Sequence, residues 1–173
     1  MPNNYDGIKT QKFGIEVEMT GITRGKAAKV VAQFFNTEAE HFGGSYDMYR
    51  ITDSQSRTWK IMSDASIRCT KKDGTSATKM YSVEFVTPVC QYDDIEDIQQ
   101  IIRDLRSANG ICNDSTGIHI HINAEPYDAK TLRNLVNIIA SKENMIYKAL
   151  QVDYGRQSYC KKVDRDFLER LNK

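Results

Sequence analysis

Residues 117–123 read Gly-Ile-His-Ile-His-Ile-Asn, which combines strict alternation with two imidazole side chains. Alternation predicts a half-buried strand, because successive side chains point to opposite faces of a sheet. We therefore expect the three isoleucines to face a core, and His119, His121 and Asn123 to share the opposite face. Positions two apart on a strand lie roughly 6.5 Å apart, so two imidazoles can reach one ion or two adjacent ions. A wet sheet face that carries two histidines without a ligand is an equally good interpretation.

Carboxylates occupy the polar faces of two further predicted strands. Residues 12–22 alternate so that Glu16 and Glu18 lie side by side, and such a pair is unfavourable unless a cation or basic group lies over it. Residues 80–89 contain Glu84 as their one charge, which is costly to desolvate without a cation or donors nearby. If these polar faces coincide with that of the histidines, the sequence predicts a divalent metal site. Phosphoryl or acyl transfer is the chemistry that such a site serves best.

Hydrophobic spacing predicts the elements that position these residues. Predicted helices cover residues 26–42, the segment between Asp93-Asp94 and Asn109-Gly110, the segment from Asp128 to about Leu150, and residues 164–171. The alternating strands favour the α+β class, with an antiparallel or mixed sheet and helices packed on one face.

A hairpin is predicted from residues 46–51 and 58–63, with Trp59 as the anchor of its second strand. Asp64-Ala65-Ser66 follows at the end of that strand, where functional sites often carry short polar groups. A turn or capping role for Asp64 is the alternative.

Glu143 falls in the middle of the apolar stripe of the long predicted helix. Either the helix breaks near Ser141-Lys142, or Glu143 is buried against a cationic partner. We favour the buried pair, for which Arg156 is the nearest candidate in the sequence.

Composition predicts one ordinary domain, 1–173, because 40 % of the 173 residues are hydrophobic and no repeat or linker divides the chain. Twenty-four basic residues nearly balance 23 acidic ones, giving a formal net charge of +1, which disfavours nucleic-acid and membrane-surface partners. No leader or spanning segment is evident, so we expect a soluble, cytoplasmic protein. The four cysteines lack Cys-x-x-Cys spacing and are predicted to be reduced thiols.

Taken in order, these motifs resemble the amidoligase family of the carboxylate-amine ligase superfamily. The resemblance spans roughly residues 12–162, and five segments carry it: Phe13-Gly14-Ile15-Glu16-Val17-Glu18, Trp59 with Asp64-Ala65-Ser66, Val83-Glu84-Phe85-Val86-Thr87-Pro88, Gly117-Ile118-His119-Ile120-His121, and Arg156 with Tyr159-Cys160. It implies a fold similar to glutamine synthetase and glutamate-cysteine ligase. Family members usually continue well past the last segment, so the resemblance implies a catalytic fold shortened at its C-terminus, or a degenerate member.

The resemblance also implies an activity and a set of site residues. The activity is an ATP-dependent ligase that phosphorylates a carboxylate and lets an amine displace the phosphate, with Mg²⁺ or Mn²⁺ as the metal and small-molecule or peptide acids and amines as substrates. The implied metal ligands are Glu16, Glu18, Glu84, His119 and His121. The two histidines are also candidates for contact with nucleotide phosphates.

Three further residues receive implied catalytic roles. Asp64 and Ser66 match an Asp-x-Ser element suited to holding the incoming amine, and an aspartate there could take up its proton. Arg156 matches an arginine expected to bind phosphate or the developing acyl phosphate. Two other functions stay open: a metal-dependent hydrolase with His and Glu ligands, and a non-catalytic binding protein of the same fold.

Overall fold

The computed structural model describes residues 6–173 and contains both α-helices and β-strands. In chain order they are α1 (Asp6–Thr10), β1 (Phe13–Met19), α2 (Arg24–Phe34), β2 (Ala39–Gly43), β3 (Met48–Thr52), β4 (Thr58–Met62), β5 (Val83–Val86), α3 (Ile95–Ser107), β6 (Ile118–Ile122), α4 (Ala129–Ala149) and α5 (Arg165–Leu171). Short 3₁₀ helices lie at Lys79–Tyr81, Tyr92–Asp94 and Tyr154–Ser158. Contacts divide the chain into two compact units, the first ending at Asn123 and the second covering Ala124–Lys173. The single domain expected from composition stays a prediction.

All six strands belong to one open sheet in the first unit, in the order β2-β3-β4-β5-β1-β6, and every neighbouring pair is antiparallel. One face carries the core, where Trp59 and Phe85 stack with their ring centroids 5.8 Å apart. Apolar residues of α2 and α3 complete this core. The predicted α+β class, with an antiparallel sheet and helices on one face, is therefore confirmed for this unit. The likeness to glutamine synthetase stays a prediction.

Helix α2 is shorter than its apolar spacing predicts. It ends at Phe34, and Ala39–Gly43 forms a strand instead of continuing the helix to residue 42. Asn36 adopts a left-handed backbone with φ of 52°, which an α-helix cannot accommodate. Phe35 then turns inward, and its ring centroid lies 4.9 Å from that of Trp59. Phe35 thus packs against the core from the turn that follows α2, although its spacing from the other apolar residues fits a helix.

The isoleucines of β6 point to the predicted face but are not buried. Ile120 pairs with Ile15 of β1, so it lies on the core side of the sheet. Ile118, Ile120 and Ile122 are nevertheless 65 %, 64 % and 49 % exposed. The prediction that these isoleucines are buried in a core is wrong. β6 is an edge strand, and α2 packs on β3 and β4, which lie toward the opposite edge of the sheet.

In the second unit, Asp128 caps the N-terminus of helix α4, and its carboxylate accepts a hydrogen bond from the N–H of Thr131. The helix continues without a break past Glu143, whose Oε1 accepts from the backbone N–H of Val163 at 2.5 Å. The predicted pairing of Glu143 with Arg156 is wrong, since a backbone donor satisfies the carboxylate and the Arg156 guanidinium lies 4.9 Å from the ring centroid of Tyr159. None of the helices in the described chain is long and apolar enough to cross a membrane.

The β3–β4 hairpin is closed by the buried carboxylate of Asp53. It accepts hydrogen bonds from the indole N–H of Trp59 at 2.9 Å, from the guanidinium of Arg57 at 2.8 Å, and from the backbone N–H groups of Gln55 and Arg57. Burial raises the pKa of Asp53, but these hydrogen bonds outweigh burial and hold the pKa below its usual range. Arg57 also pairs with Asp94 at 2.8 Å, which joins the hairpin to the start of α3.

We expect Asp53→Asn to lower the free energy of unfolding at pH 7 by about 2–4 kcal/mol, because an amide nitrogen cannot accept the hydrogen bonds that converge there. Urea denaturation measures this loss, with the exposed Asp93→Asn as the control. The difference between wild type and Asp53→Asn should shrink as acid protonates Asp53. If Asp53→Asn were as stable as Asp93→Asn at pH 7, the hydrogen bonds of Asp53 would not stabilise the hairpin.

Candidate functional site

The open face of the sheet, opposite the core, gathers the glutamates and histidines singled out by the sequence. Glu18 of β1 pairs directly with Glu84 of β5, and Glu16 pairs with His119 of β6. His121 pairs with Gly14, which has no side chain. Directly paired residues project to the same face, so the strand register alone brings these five ionisable groups together. Their assignment as metal ligands stays a prediction.

Glu16, His119 and His121 form the first of two clusters, which we call the histidine cluster. His119 Nδ1 lies 2.9 Å from Glu16 Oε2, and His121 Nε2 lies 3.4 Å from Glu16 Oε1. One potential ligand atom from each residue lies within 4.8 Å of the others. Two imidazoles and a carboxylate at this spacing form a donor set suited to a divalent transition metal.

Glu18, Asp64 and Glu84 form the second, the carboxylate cluster, again with one ligand oxygen from each within 4.8 Å of the others. Glu18 and Glu84 are buried, whereas Asp64 is partly exposed. Glu18 Oε2 accepts a hydrogen bond from the N–H of Gly117 at 2.7 Å. An all-oxygen set of carboxylates matches the ligand preference of Mg²⁺, Mn²⁺ or Ca²⁺.

His119 links the two clusters, since its Nε2 lies 3.9 Å from Glu18 Oε1. The four carboxylates of the two clusters have no lysine or arginine ion-paired with them among residues 6–173. Like charges gathered in this way are unfavourable unless protons or cations compensate them. The donor types and this uncompensated charge both fit bound divalent cations.

The position of Asp64 was not predicted as part of a metal cluster. Its backbone is held by the buried Ser82, whose Oγ accepts from the N–H of Asp64 at 2.9 Å and donates to its carbonyl at 2.6 Å. The N–H and hydroxyl of Ser66 both donate to Asp64 Oδ1, at 2.6 and 2.5 Å. Because both Ser66 donors meet Oδ1, Oδ2 accepts no hydrogen bond from the described residues. The signal in the sequence was position: Asp64 lies two residues after the end of β4, the strand next to the one that carries Glu84.

Glu84 has the strongest electrostatic perturbation in this site. Burial, and then the nearby carboxylates of Glu16, Asp64 and Glu18, raise the pKa of Glu84 to about 7. The metal-free protein therefore favours a proton on this carboxyl group well above the usual range for glutamate. Binding of a cation would displace that proton.

Arg156, the remaining predicted site residue, belongs to the second unit. It lies in the 3₁₀ helix Tyr154–Ser158, where Asp153 accepts from the N–H of Gly155. Its guanidinium lies over the ring of Tyr159, a residue of the same predicted motif. A contact between Arg156 and phosphate stays a prediction.

A family model described as "putative amidoligase enzyme" matches residues 9–173, which is the whole chain apart from its first eight residues. No curated protein and no solved structure matches the chain.

In the metal-free protein we expect the pKa of Glu84 to produce a pH-dependent loss of stability. The unfolded chain releases this proton near the usual pKa of 4.5, whereas the folded chain keeps it until about pH 7. The free energy of unfolding should therefore fall as pH rises between these values, by at most about 3 kcal/mol, and then level off.

Urea denaturation in EDTA from pH 5 to pH 8 measures this fall. Glu84→Gln should remove it, and the exposed Glu96→Gln of α3 should retain it. The same pH dependence in wild type and Glu84→Gln would assign the effect to other groups.

Proposed function

The chain belongs to the amidoligase family, and from this premise we propose that it is an ATP-dependent ligase that joins a carboxylate to an amine through an acyl phosphate. One observation carries the proposal: four carboxylates and two imidazoles share an open sheet face, and no lysine or arginine of the described chain is ion-paired with them. ATP-dependent ligation requires a surface that binds a polyphosphate through cations, and this face has the donors for it.

Divalent cations would be held by the two clusters. Glu18 and Glu84 of the carboxylate cluster suit Mg²⁺ or Mn²⁺, and the histidine cluster suits Mn²⁺ or a similar ion, since imidazole nitrogen is a poor ligand for Mg²⁺. When bound, such ions neutralise phosphate oxygens and polarise the reacting centre.

The proposed reaction has two chemical steps. First, a carboxylate oxygen of the acid attacks the γ-phosphorus of ATP, and the bond from that phosphorus to the β–γ bridging oxygen breaks to release ADP. Second, the amine nitrogen attacks the acyl carbon, the bond from that carbon to the phosphate oxygen breaks, and inorganic phosphate leaves. The proton lost by the nitrogen passes to a base. The acid and amine are small molecules or peptides.

Asp64 is the proposed base and amine-binding residue. Ser66 fixes its Oδ1 by two hydrogen bonds, so Oδ2 is free to receive the ammonium form of the amine and then its proton. Arg156 is the proposed contact for the negative charge that develops on the phosphoryl group, a role suited to its planar donors.

We expect the purified protein to release ADP and phosphate from ATP with Mg²⁺ or Mn²⁺ only when an acid and an amine are both present. Pools of amino acids and small peptides supply both, a coupled assay follows ADP, and mass spectrometry identifies the amide. Glu18→Gln should lower kcat/KM at least 100-fold because it removes a cation ligand, whereas the exposed Glu38→Gln should not. Metal-dependent cleavage without ATP would instead support a hydrolase, and nucleotide binding without turnover would support a binding protein.

Asp64→Asn separates the two chemical steps. We expect the steady-state rate with amine to fall at least 100-fold, while a single turnover of acid-dependent ADP formation persists, because the second step needs the base and the first does not. Rapid-quench measurement of the burst tests this. Loss of both the burst and Mn²⁺ affinity would show that Asp64 acts as a metal ligand and not as the base.

A further inference from the structure

The open sheet face also carries basic residues, and the register places them in line with the carboxylates. Arg50 of β3 pairs with Lys60 of β4, Lys60 pairs with Val86 of β5, and Val86 pairs with Glu16 of β1. Arg50 also pairs with Glu40 of β2, so one continuous row crosses the sheet from Glu40 through Arg50 to Glu16. Because neighbouring strands lie about 4.8 Å apart, the backbones of Lys60 and Glu16 are separated by roughly 10 Å, with only Val86 between them.

Neither basic side chain forms an ion pair in the part of the chain that the structure describes, although Glu40 of β2 lies directly opposite Arg50. Arg50 and Lys60 are both partly buried, and no ion pair involves either of them within residues 6–173. The Arg50 guanidinium lies 3.5 Å from the ring centroid of Phe42, which fixes its plane while leaving N–H groups free to donate. Lys60 has an ammonium group on a flexible stem, and this ammonium makes no hydrogen bond with the described residues.

We propose that Arg50 and Lys60 form an anion site that continues the cation-binding clusters across the sheet and binds the phosphate groups of a nucleoside triphosphate. The choice of a nucleotide rests on the proposed function, whereas the anion site rests on the register and on the two unpaired cations. A ligand that reaches both Glu16 and Lys60 in the row would meet any cation held at Glu16 and the ammonium group of Lys60. It must therefore carry negative charge at both ends, which describes a polyphosphate better than a single carboxylate.

The apolar Val86 supports this geometry. It separates Lys60 from Glu16 by one strand, so the ammonium and the carboxylate do not cancel each other directly across neighbouring strands. A phosphate chain can cross this gap, whereas a compact monocarboxylate occupies one end of the row. Lys60 is thus a residue that would bind and orient the phosphates, with no part in proton transfer.

Binding of inorganic tripolyphosphate with Mg²⁺, measured by calorimetry on the full chain, tests the site without requiring turnover. We expect Lys60→Met to weaken binding about tenfold or more, as loss of a charge-assisted contact does. Lys60→Arg should retain most of the affinity, and Lys29→Met, at an exposed position of α2, should bind as wild type does. Lys60→Gln is a second neutral variant, and the Tm of each variant shows whether it is folded.

Two further probes identify the ligand. Mg-ATP should show the same dependence on Lys60 as tripolyphosphate, and acetate or glutamate should show none. If Lys60→Met weakens binding of the carboxylates but not of tripolyphosphate, the site serves the acid substrate and the polyphosphate assignment is wrong. Absence of tripolyphosphate binding by the wild type, or equal binding by folded Lys60→Met, would also overturn it.

The outcomes separate this inference from the ligase proposal. Tripolyphosphate binding that depends on Lys60, in a protein that forms no amide, would retain the anion site and remove the ligase. Amide formation with a KM for ATP that is unchanged in Lys60→Met would retain the ligase and remove the anion site.

Discussion

Electrostatic repulsion among four carboxylates is the constraint that the rest of this structure must satisfy. Glu16, Glu18, Asp64 and Glu84 converge on one sheet face, and two of them are buried. The pKa of Glu84 rises to about 7 because burial and these neighbours disfavour its charge. Such an arrangement persists only if packing elsewhere outweighs its cost, and it is relieved when cations bind.

The opposite face of the same strands supplies that packing. In β5, the buried Phe85 stacks on Trp59 while the adjacent Glu84 points to the open face. Trp59 is further fixed by its hydrogen bond to Asp53. Since successive side chains alternate, each strand joins a core residue to a site residue one position away, and the rigidity of the core is transferred to the ligands. Paired strands rather than loops thus determine the spacing of most of the site.

Alternation in the sequence was enough to predict the strands that carry Glu16, Glu84 and His119, because period-two patterns specify both the strand and its faces. The same alternation also favoured an antiparallel sheet with helices on one face. The place of Asp64 beside Glu84 depends on which strands pair, which a single sequence does not show. Helix α2 ends early because Asn36 takes a left-handed backbone, a local choice that apolar spacing does not reveal. The carboxylate of Glu143 meets a backbone N–H, and backbone partners carry no signal in side-chain patterns.

The central claim is that the open face binds divalent cations jointly through side chains from separate strands. Anomalous diffraction from crystals grown with Mn²⁺ and a non-hydrolysable ATP analogue tests it most directly. The account predicts an Mn²⁺ peak within coordination distance of Glu18 and Glu84, with a second ion at Glu16 and His119 and the phosphates between the ions and Lys60. If neither cluster showed an anomalous peak at saturating Mn²⁺ while the carboxylates kept the same positions, the result would contradict the account.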